Sequence, residues 1–567
     1  MTSEISIKTM IQNYIKYDRP LFLTFTAIVF ILGLVFRVLF IIKEGIYVDE
    51  AANLPLSVMY FKAIMRFPPN VRILLLDPLK PEFYKIFYGF IGYIFNGLKL
   101  PKIVYLKYIW FVPPYILLYE RIGILLTNCV LFIVTLMILS RIHLNNRIYL
   151  LFSIFYWLNP FIIFNTSLVL TSSLVIPLSV LFLVLMFASK LNFNKFSLIS
   201  AIVFGFLMSV QYYDIIFVIV PFLLYIFYIK VCPPLKFLKF FLYFLGISLT
   251  VFIIANPGFI FDPLVFIRGT LIATGTVLST SSGVVGIPSY LFGRLTFTTP
   301  VYTVLVLTFF QTPILILFSA MIGGYLFFYV SFRYNKRETD LYNRDEYKLG
   351  FFTFSIFVIN VIFALSFNYL RRNEIIIIAP FILFSAISLD QIIEKIMCQE
   401  RHEDSIKLFD KKIKNKARAF TILLIIFIII ISGFSVFQNE GNLPVYTNVL
   451  ADVPHLEHQY LDGSWNSAQA DTLVGKYIEN MGIKNETILT LALTDMVAYY
   501  APNNNYIQIW SQINGTQLIK YYAGDYIVVD GWYAEIYGNP ISSYRNDFNV
   551  IYIVNLVGGY SILARVK

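Results

Sequence analysis

An acidic pair, Asp49 and Glu50, stands in "YVDEAANLPLS", directly after the first long apolar run from Leu21 to Ile42. The flank of a membrane span is usually basic, and carboxylates at a lipid boundary are costly unless something uses them. Two uses suit these residue types. Acidic residues favour the N-terminus of a following helix through its dipole, here "EAANLPLSVMYFKAIMRF". Alternatively the pair belongs to a site at the membrane surface, where carboxylates handle protons or cations. Basic residues also stand near the outer boundary: Lys80 in "LLLDPLKPEFYK", Arg121 at the head of the next apolar run, Arg294, Arg371 and Arg372. An arginine fork grips an anion through two bonds, whereas a lysine offers a point charge. Snorkelling to lipid headgroups is the plainer use of such side chains, above all for one of the Arg371–Arg372 pair.

The elements that must position these groups are membrane helices. Of 567 residues, 58% are hydrophobic and only 14% charged, and the mean hydropathy is +0.73. A soluble surface needs more charge than that. Runs of about 17–25 apolar residues recur, each long enough to cross a hydrocarbon core of roughly 30 Å. The expected spans are 21–42, 120–140, 148–166, 168–189, 196–212, 213–229, 238–257, 300–331, 349–368, 374–391 and 419–437. The longest of them is expected either to kink at Pro313 or to lay one end along the surface, and 101–118, broken by Lys107 and Pro113-Pro114, is expected outside the membrane. The first run follows Lys8, Lys16 and Arg19 and reads as a signal anchor, since no small-residue cleavage site follows it.

The net charge of +11 then reads as topology rather than as nucleic-acid binding. With the N-terminus cytoplasmic, most basic clusters fall inside, among them Arg333–Lys348 and Lys395–Arg418. The other side receives the 43–118 loop, the 258–299 loop and the tail beyond residue 437. In that tail the apolar runs shorten to strand length, as in "NETILTLAL", "DYIVVD" and "NVIYIVNLVGGYSIL", after a helix-like "AQADTLVGKYIENMG". This predicts a separate α/β domain over 437–567, outside the membrane domain of 1–436.

Three glycosylation sequons begin at Asn165, Asn485 and Asn514, the last two in the external tail. Cys129, Cys232 and Cys398 form no metal or disulfide pattern. His455 and His458, with Glu457 or Asp452, fall short of three spaced zinc ligands and read as a solvated loop, so no metal or other cofactor is expected.

Several stretches together resemble the membrane-embedded C-class (GT-C) glycosyltransferases, in particular the protein O-mannosyltransferases and the aminoarabinose transferases of lipid A, in an archaeal-type form. They are "YVDEAANLPLSVMY", "LKPEFYKIFYGFIGYIFNG", "YERIGILLTNCVLFIVTLMIL", "FYWLNPFIIFNTS", "IIANPGFIFDPLVF" and "YLRRNEIIIIAPFILFSAISL". The resemblance implies a mostly α polytopic membrane fold of about eleven helices with an extracytoplasmic α/β domain. It also implies inverting sugar transfer from a polyprenyl (dolichyl) phosphate donor to a hydroxyl on a protein, lipid or glycan, at the outer face of the cell membrane. Asp49 matches the catalytic base and Glu50 its orienting neighbour; Lys80 matches the basic residue of a proline motif that serves the donor phosphate. Arg121, Arg294, Arg371 and Arg372 are the further candidates for that phosphate.

Three places depart from the pattern: Glu82 replaces a proline in "KPE", Thr171-Ser172 stand where an acidic residue is usual, and the fifth span ends in "SVQYYD" where a basic residue is usual. Two other classes stand beside the enzyme: a transporter or flippase for a lipid-linked glycan, and an assembly protein that kept the fold without catalysis. A transport path would want ionisable groups at mid-membrane depth, but the span centres are nearly free of charge, with Arg37 and Asp214 near span ends or isolated.

Overall fold

The computed structural model describes residues 2–43, 48–66, 69–74, 81–101, 104–106, 109–111, 114–142, 144–229, 231–268, 289–291, 294–296, 309, 312–333, 345–366, 373–399, 422–423, 426–433, 463–492, 494–509, 522–531, 534, 541, 545–556 and 559–567. Helices dominate as far as residue 399. In order they are α1 (Thr2–Lys43), α2 (Val48–Met65), α3 (Val71–Leu74), α4 (Phe83–Phe95), α5 (Pro114–Leu139), α6 (Asn146–Trp157), α7 (Pro160–Ser167) and α8 (Ser172–Ser189). There follow α9 (Lys195–Val210), α10 (Val220–Tyr228), α11 (Pro234–Ala255), α12 (Pro257–Phe261), α13 (Ile314–Arg333), α14 (Asp345–Ser366) and α15 (Asn373–Gln399). Two hairpins lie between them, β1 (Val104–Leu106) with β2 (Ile109–Phe111), and β3 (Ser289–Leu291) with β4 (Arg294–Thr296).

Among the described residues, five helical stretches are long and apolar enough to cross a membrane: Leu21–Ile42, Tyr115–Leu139, Ser172–Ser189, Pro234–Ala255 and Asp345–Phe363. The bent pair α6–α7 makes a sixth if it is one span. The chain is therefore a multi-pass membrane protein. The other positions expected to span hold shorter apolar helices, such as Lys195–Val210 and Ile377–Ile393, or lie partly outside the described residues. Prolines account for two shifted boundaries. Pro114 opens α5, because the first position of a helix has no use for the missing N–H, so this helix begins before residue 120. Pro313 likewise stands just before α13, where its carbonyl accepts from Ile316 and Leu317, and starts the helix rather than kinking it.

The centre of the bundle is α8, apolar on every side and buried along almost its whole length against α5, α9 and α15. Beside it, α6 and α7 meet at 64° across Leu158-Asn159. Pro160 cannot donate into a continuous helix, and the Asn159 side chain caps the new one by accepting from Phe161 N at 3.0 Å. The break frees a carbonyl at Trp157, which Arg37 of α1 satisfies: Nη1 donates to Trp157 O at 2.7 Å, and the guanidinium lies 3.9 Å from the Trp157 ring centroid. Arg37 is thus fully buried, and so is Asp214, whose two carboxylate oxygens have no hydrogen-bond partner.

Beyond residue 462 the chain changes class. The helices α16 (Gly463–Asn480) and α17 (Thr494–Tyr500) accompany β5 (Thr487–Leu491), β6 (Asn505–Gln508), β7 (Tyr526–Asp530), β8 (Phe548–Leu556) and β9 (Gly559–Val566). One five-stranded sheet results, ordered β6-β5-β7-β9-β8, parallel across β6, β5 and β7 and antiparallel at β9. Strand alternation splits its apolar residues between two faces. Ile488 and Val528 pack under α16 with Val474 and Ile478, while Leu489, Ile527 and Val529 form a second cluster opposite.

Candidate active site

The acidic pair falls in the first turn of α2, with Asp49 its second residue and Glu50 its third. Glu50 is fully buried and does not face water as a solvated cap would. Arg121 of α5, also buried, meets it in a fork: Nε donates to Oε1 at 2.9 Å and Nη2 to Oε2 at 2.5 Å. Arg121 Nη1 reaches back to the Ile41 carbonyl at 3.4 Å, so one guanidinium ties the end of α1, the start of α2 and the head of α5. Two charges out of water are expensive, and bidentate geometry with extra hydrogen bonds is what makes such a pair tolerable.

A further bond comes from the backbone. Val169 N donates to Glu50 Oε1 at 2.8 Å, and one turn along α2 the Asn53 amide donates to Val169 O at 3.1 Å. Residues three apart share a helix face, so Glu50 and Asn53 hold the two sides of one residue's backbone. Tyr88 of α4 holds the next residue, donating to Leu170 O at 2.5 Å beside Ser173 Oγ at 2.6 Å. The stretch 168–173, where an acidic residue was expected, is instead a backbone platform stitched to α2 and α4.

Glu120 adds a second buried carboxylate next to Arg121. Ser57 of α2 donates to its Oε1 at 2.8 Å, while Oε2 has no hydrogen-bond partner. Close packing here requires glycine. A Cβ on Gly89 would stand 2.2 Å from Ser57 O, and one on Gly92 would stand 3.0 Å from Glu120 Oε1. Lys85 is buried on the same helix, its Nζ 4.5 Å from the Tyr60 ring centroid.

Glu82, the departure in the proline motif, has a definite task. Its backbone N–H donates to Asn256 Oδ1 at 2.8 Å, and its Oε2 accepts from Gly258 N at 2.8 Å. The "KPE" turn and the "NPG" turn before α12 are clasped from both sides. A Cβ at position 258 would lie 1.8 Å from Glu82 Oε1, so any side chain there would push the Glu82 carboxyl out of the clasp. Burial pushes the Glu82 carboxyl up to about 7, against the opposing pull of the Gly258 N–H and the Lys85 charge.

Of the candidate residues, the structure joins Glu50 to Arg121 at the start of α2, where Asp49 is the preceding residue of the helix. Arg294 lies in β4, while Lys80, Arg371, Arg372, His455 and His458 lie outside the described residues. Arg121, expected at an anionic donor, has its fork on Glu50. Asn485 is exposed and Asn165 buried, while Asn514 lies outside the described residues. Sequence reading passed over Glu120, Asn53, Tyr88 and Tyr499. Glu120 carried one signal, an acidic residue beside an arginine at the head of an apolar helix. The others carried none.

No family model matches the chain, and no curated protein matches it. Among solved structures it is similar to the crystal structure of ArnT from Cupriavidus metallidurans in the apo state, at 12% identity and a TM-score of 0.49. The alignment covers 96% of this chain and 97% of that one. Nothing about residue roles follows from so distant a likeness.

Proposed function

We propose that the protein is a membrane glycosyltransferase that moves a sugar from a polyprenyl-phosphate donor to a hydroxyl acceptor at the outer membrane face. The N-terminus is cytoplasmic in this reading, the loop 43–118 and the domain 437–567 lie outside, and the sugar's configuration inverts. The observation that carries it is the start of α2, where Asp49 precedes a Glu50 fixed by Arg121 and Val169. A carboxylate that must take a proton during attack works only if its backbone is held still, and an immobilised neighbour supplies that.

The step balances without a cofactor. The acceptor oxygen bonds to the anomeric carbon while its proton passes to Asp49. The bond from that carbon to the phosphate oxygen breaks, and polyprenyl phosphate leaves with the electron pair. Cations rather than acids suit that leaving group, and Lys80, Arg294, Arg371 and Arg372 are assigned to it. Arg121 acts at one remove, through Glu50. The polyprenyl tail would lie along lipid-facing apolar surface, of which α11 offers Leu235, Leu238, Leu242 and Leu249.

The test is incubation of the purified full-length chain with a panel of polyprenyl-phosphate sugars and hydroxyl acceptors. Donor consumption with release of polyprenyl phosphate is expected, and Asp49→Asn should stop it. A panel left untouched by the parent protein would sink the proposal. A second reading, transport of a lipid-linked glycan, draws on Asp214, since a buried intramembrane carboxylate without a partner is a functional candidate by default. Asp214→Asn would then abolish movement of the lipid across proteoliposomes while donor chemistry stays absent.

A further inference from the structure

The C-terminal domain reaches the acidic pair through one short helix. Val497 of α17 and Ala501, the residue just after the helix, belong to the domain's own core with Val474 and Ile478. Gly475 of α16 comes so near that a Cβ there would stand 2.7 Å from Val497 O, so this face of α17 is seated firmly on its own domain. Tyr499, two residues on from Val497, projects from the opposite face at 100° per residue. The helix packs against α2, and Tyr499 is buried within the core of the membrane helices, 6% exposed. Tyr500 flanks it, with ring centroids 5.2 Å apart and edges crossed. Lys476 of α16 holds Tyr500 in turn, its Nζ 5.0 Å from that ring centroid. Burial first, and the Tyr500 ring next, hold the Tyr499 hydroxyl above its ordinary pKa, with Arg121 opposing and Glu50 and Glu120 adding to the shift.

From this packing we infer that Tyr499 is a positioning residue for the start of α2, and that the C-terminal domain completes the candidate site by seating it. The two ends of the contact differ in kind. On the domain side α17 is wedged against α16 by backbone approach, leaving it little room to shift. On the membrane side it meets the helix that carries Asp49 and Glu50. A domain that served only to capture an acceptor could hang on a linker. This one inserts an aromatic ring into the core of the membrane helices, through a helix that packs on α2. The inference deepens the glycosyltransferase reading, because the effect on turnover presupposes that chemistry; the effect on α2 does not.

The experiment compares the full-length parent with Tyr499→Ala and Tyr499→Phe by hydrogen exchange in detergent, alongside donor turnover. In Tyr499→Ala the amides of residues 50–57 should exchange roughly tenfold faster, reporting a looser α2, while Tyr499→Phe keeps most of the protection. Exchange in β5 and β7 is the control for the domain's own fold and should not change. If the parent turns over donor, Tyr499→Ala should lower kcat about ten- to a hundredfold with a smaller change in donor KM. Protection of α2 equal to the parent in Tyr499→Ala, with β5 and β7 intact, overturns the inference. If β5 and β7 also lose protection, Tyr499→Phe decides: parent-like α2 protection upholds a role for the ring, and loosening of α2 with an intact sheet assigns it to the hydroxyl; an α2 loosened only where the sheet is lost rejects it. A parent without donor turnover defeats the glycosyltransferase reading and leaves the exchange result to judge the inference alone.

Discussion

Arg121 and Glu50 form a buried, two-bonded ion pair that joins α5 to the first turn of α2, with almost no exposure at either side chain. Its value lies in geometry more than in raw stability, since removing both charges from water offsets much of their attraction. Removing only one partner is another matter. Arg121→Ala strands a carboxylate in the interior and should cost about 3–5 kcal/mol. Arg121→Lys should recover part of that loss, because a point charge cannot reproduce the fork. Exchange of both residues for Met should melt closer to the parent than Arg121→Ala does. Thermal unfolding in detergent checks all three variants; an alanine variant that melts with the parent would contradict the coupling.

Asp49→Asn preserves size and hydrogen-bonding capacity but removes the proton acceptor. Transfer should fall about a hundred- to ten-thousandfold while thermal unfolding stays near the parent. Initial rates of polyprenyl-phosphate release are the measurement. Parent-like turnover in the Asn variant would show that the base lies elsewhere.

The clasp at Glu82 should respond to pH. Its carboxyl titrates near 7 when folded, above its ordinary value of 4.5, so the folded state holds the proton more tightly than the unfolded chain. The stabilising contribution is complete below about 4.5 and disappears as pH climbs through about 7, worth on the order of 3 kcal/mol at most. The charged group facing it is Lys85, which moderates the effect. Melting temperature measured from pH 5 to pH 8 should therefore decline for the parent and less steeply for Glu82→Gln. Gly258→Ala should break the clasp at every pH, because the added methyl occupies the place of Oε1.

Arg37→Ala should destabilise the break between α6 and α7. It removes the donor to Trp157 O and the cation over the indole, worth about 1–3 kcal/mol and up to ~2 kcal/mol respectively. Indole fluorescence of Trp157 gives a local readout, best taken in a background where the other tryptophans are Phe. An unchanged spectrum and melting point would mean that the carbonyl finds another donor.

Much of this was legible from residue types. Apolar runs with basic flanks gave the membrane helices, and short β-branched runs gave the C-terminal sheet, because both signals are local and periodic. What escaped was relational. Pro114 looked like an interruption because its helix lies downstream of it. Arg121 was read by its charge as a ligand for an anion, yet Glu50, 71 positions away in sequence, occupies its fork. Glu82 looked like a lapse from a motif until Gly258, 176 positions on, supplied the N–H that uses it. Tyr499 carried no signal, since an aromatic in a soluble-looking segment gives no hint that it will enter a membrane core.

The strand order carries a consequence for the timing of biosynthesis. The strand β9 is an interior strand of the sheet, between β7 and β8. While a ribosome has yet to make Gly559–Val566, β7 has a bare side and β8 has no partner in the sheet. The sheet cannot close, and α17 has no finished domain behind it, until that strand has emerged. A product stopped before residue 559 would carry its membrane helices together with open strand edges, the kind of surface that aggregates. Assembly at the start of α2 is thereby made to wait for the synthesis of β9.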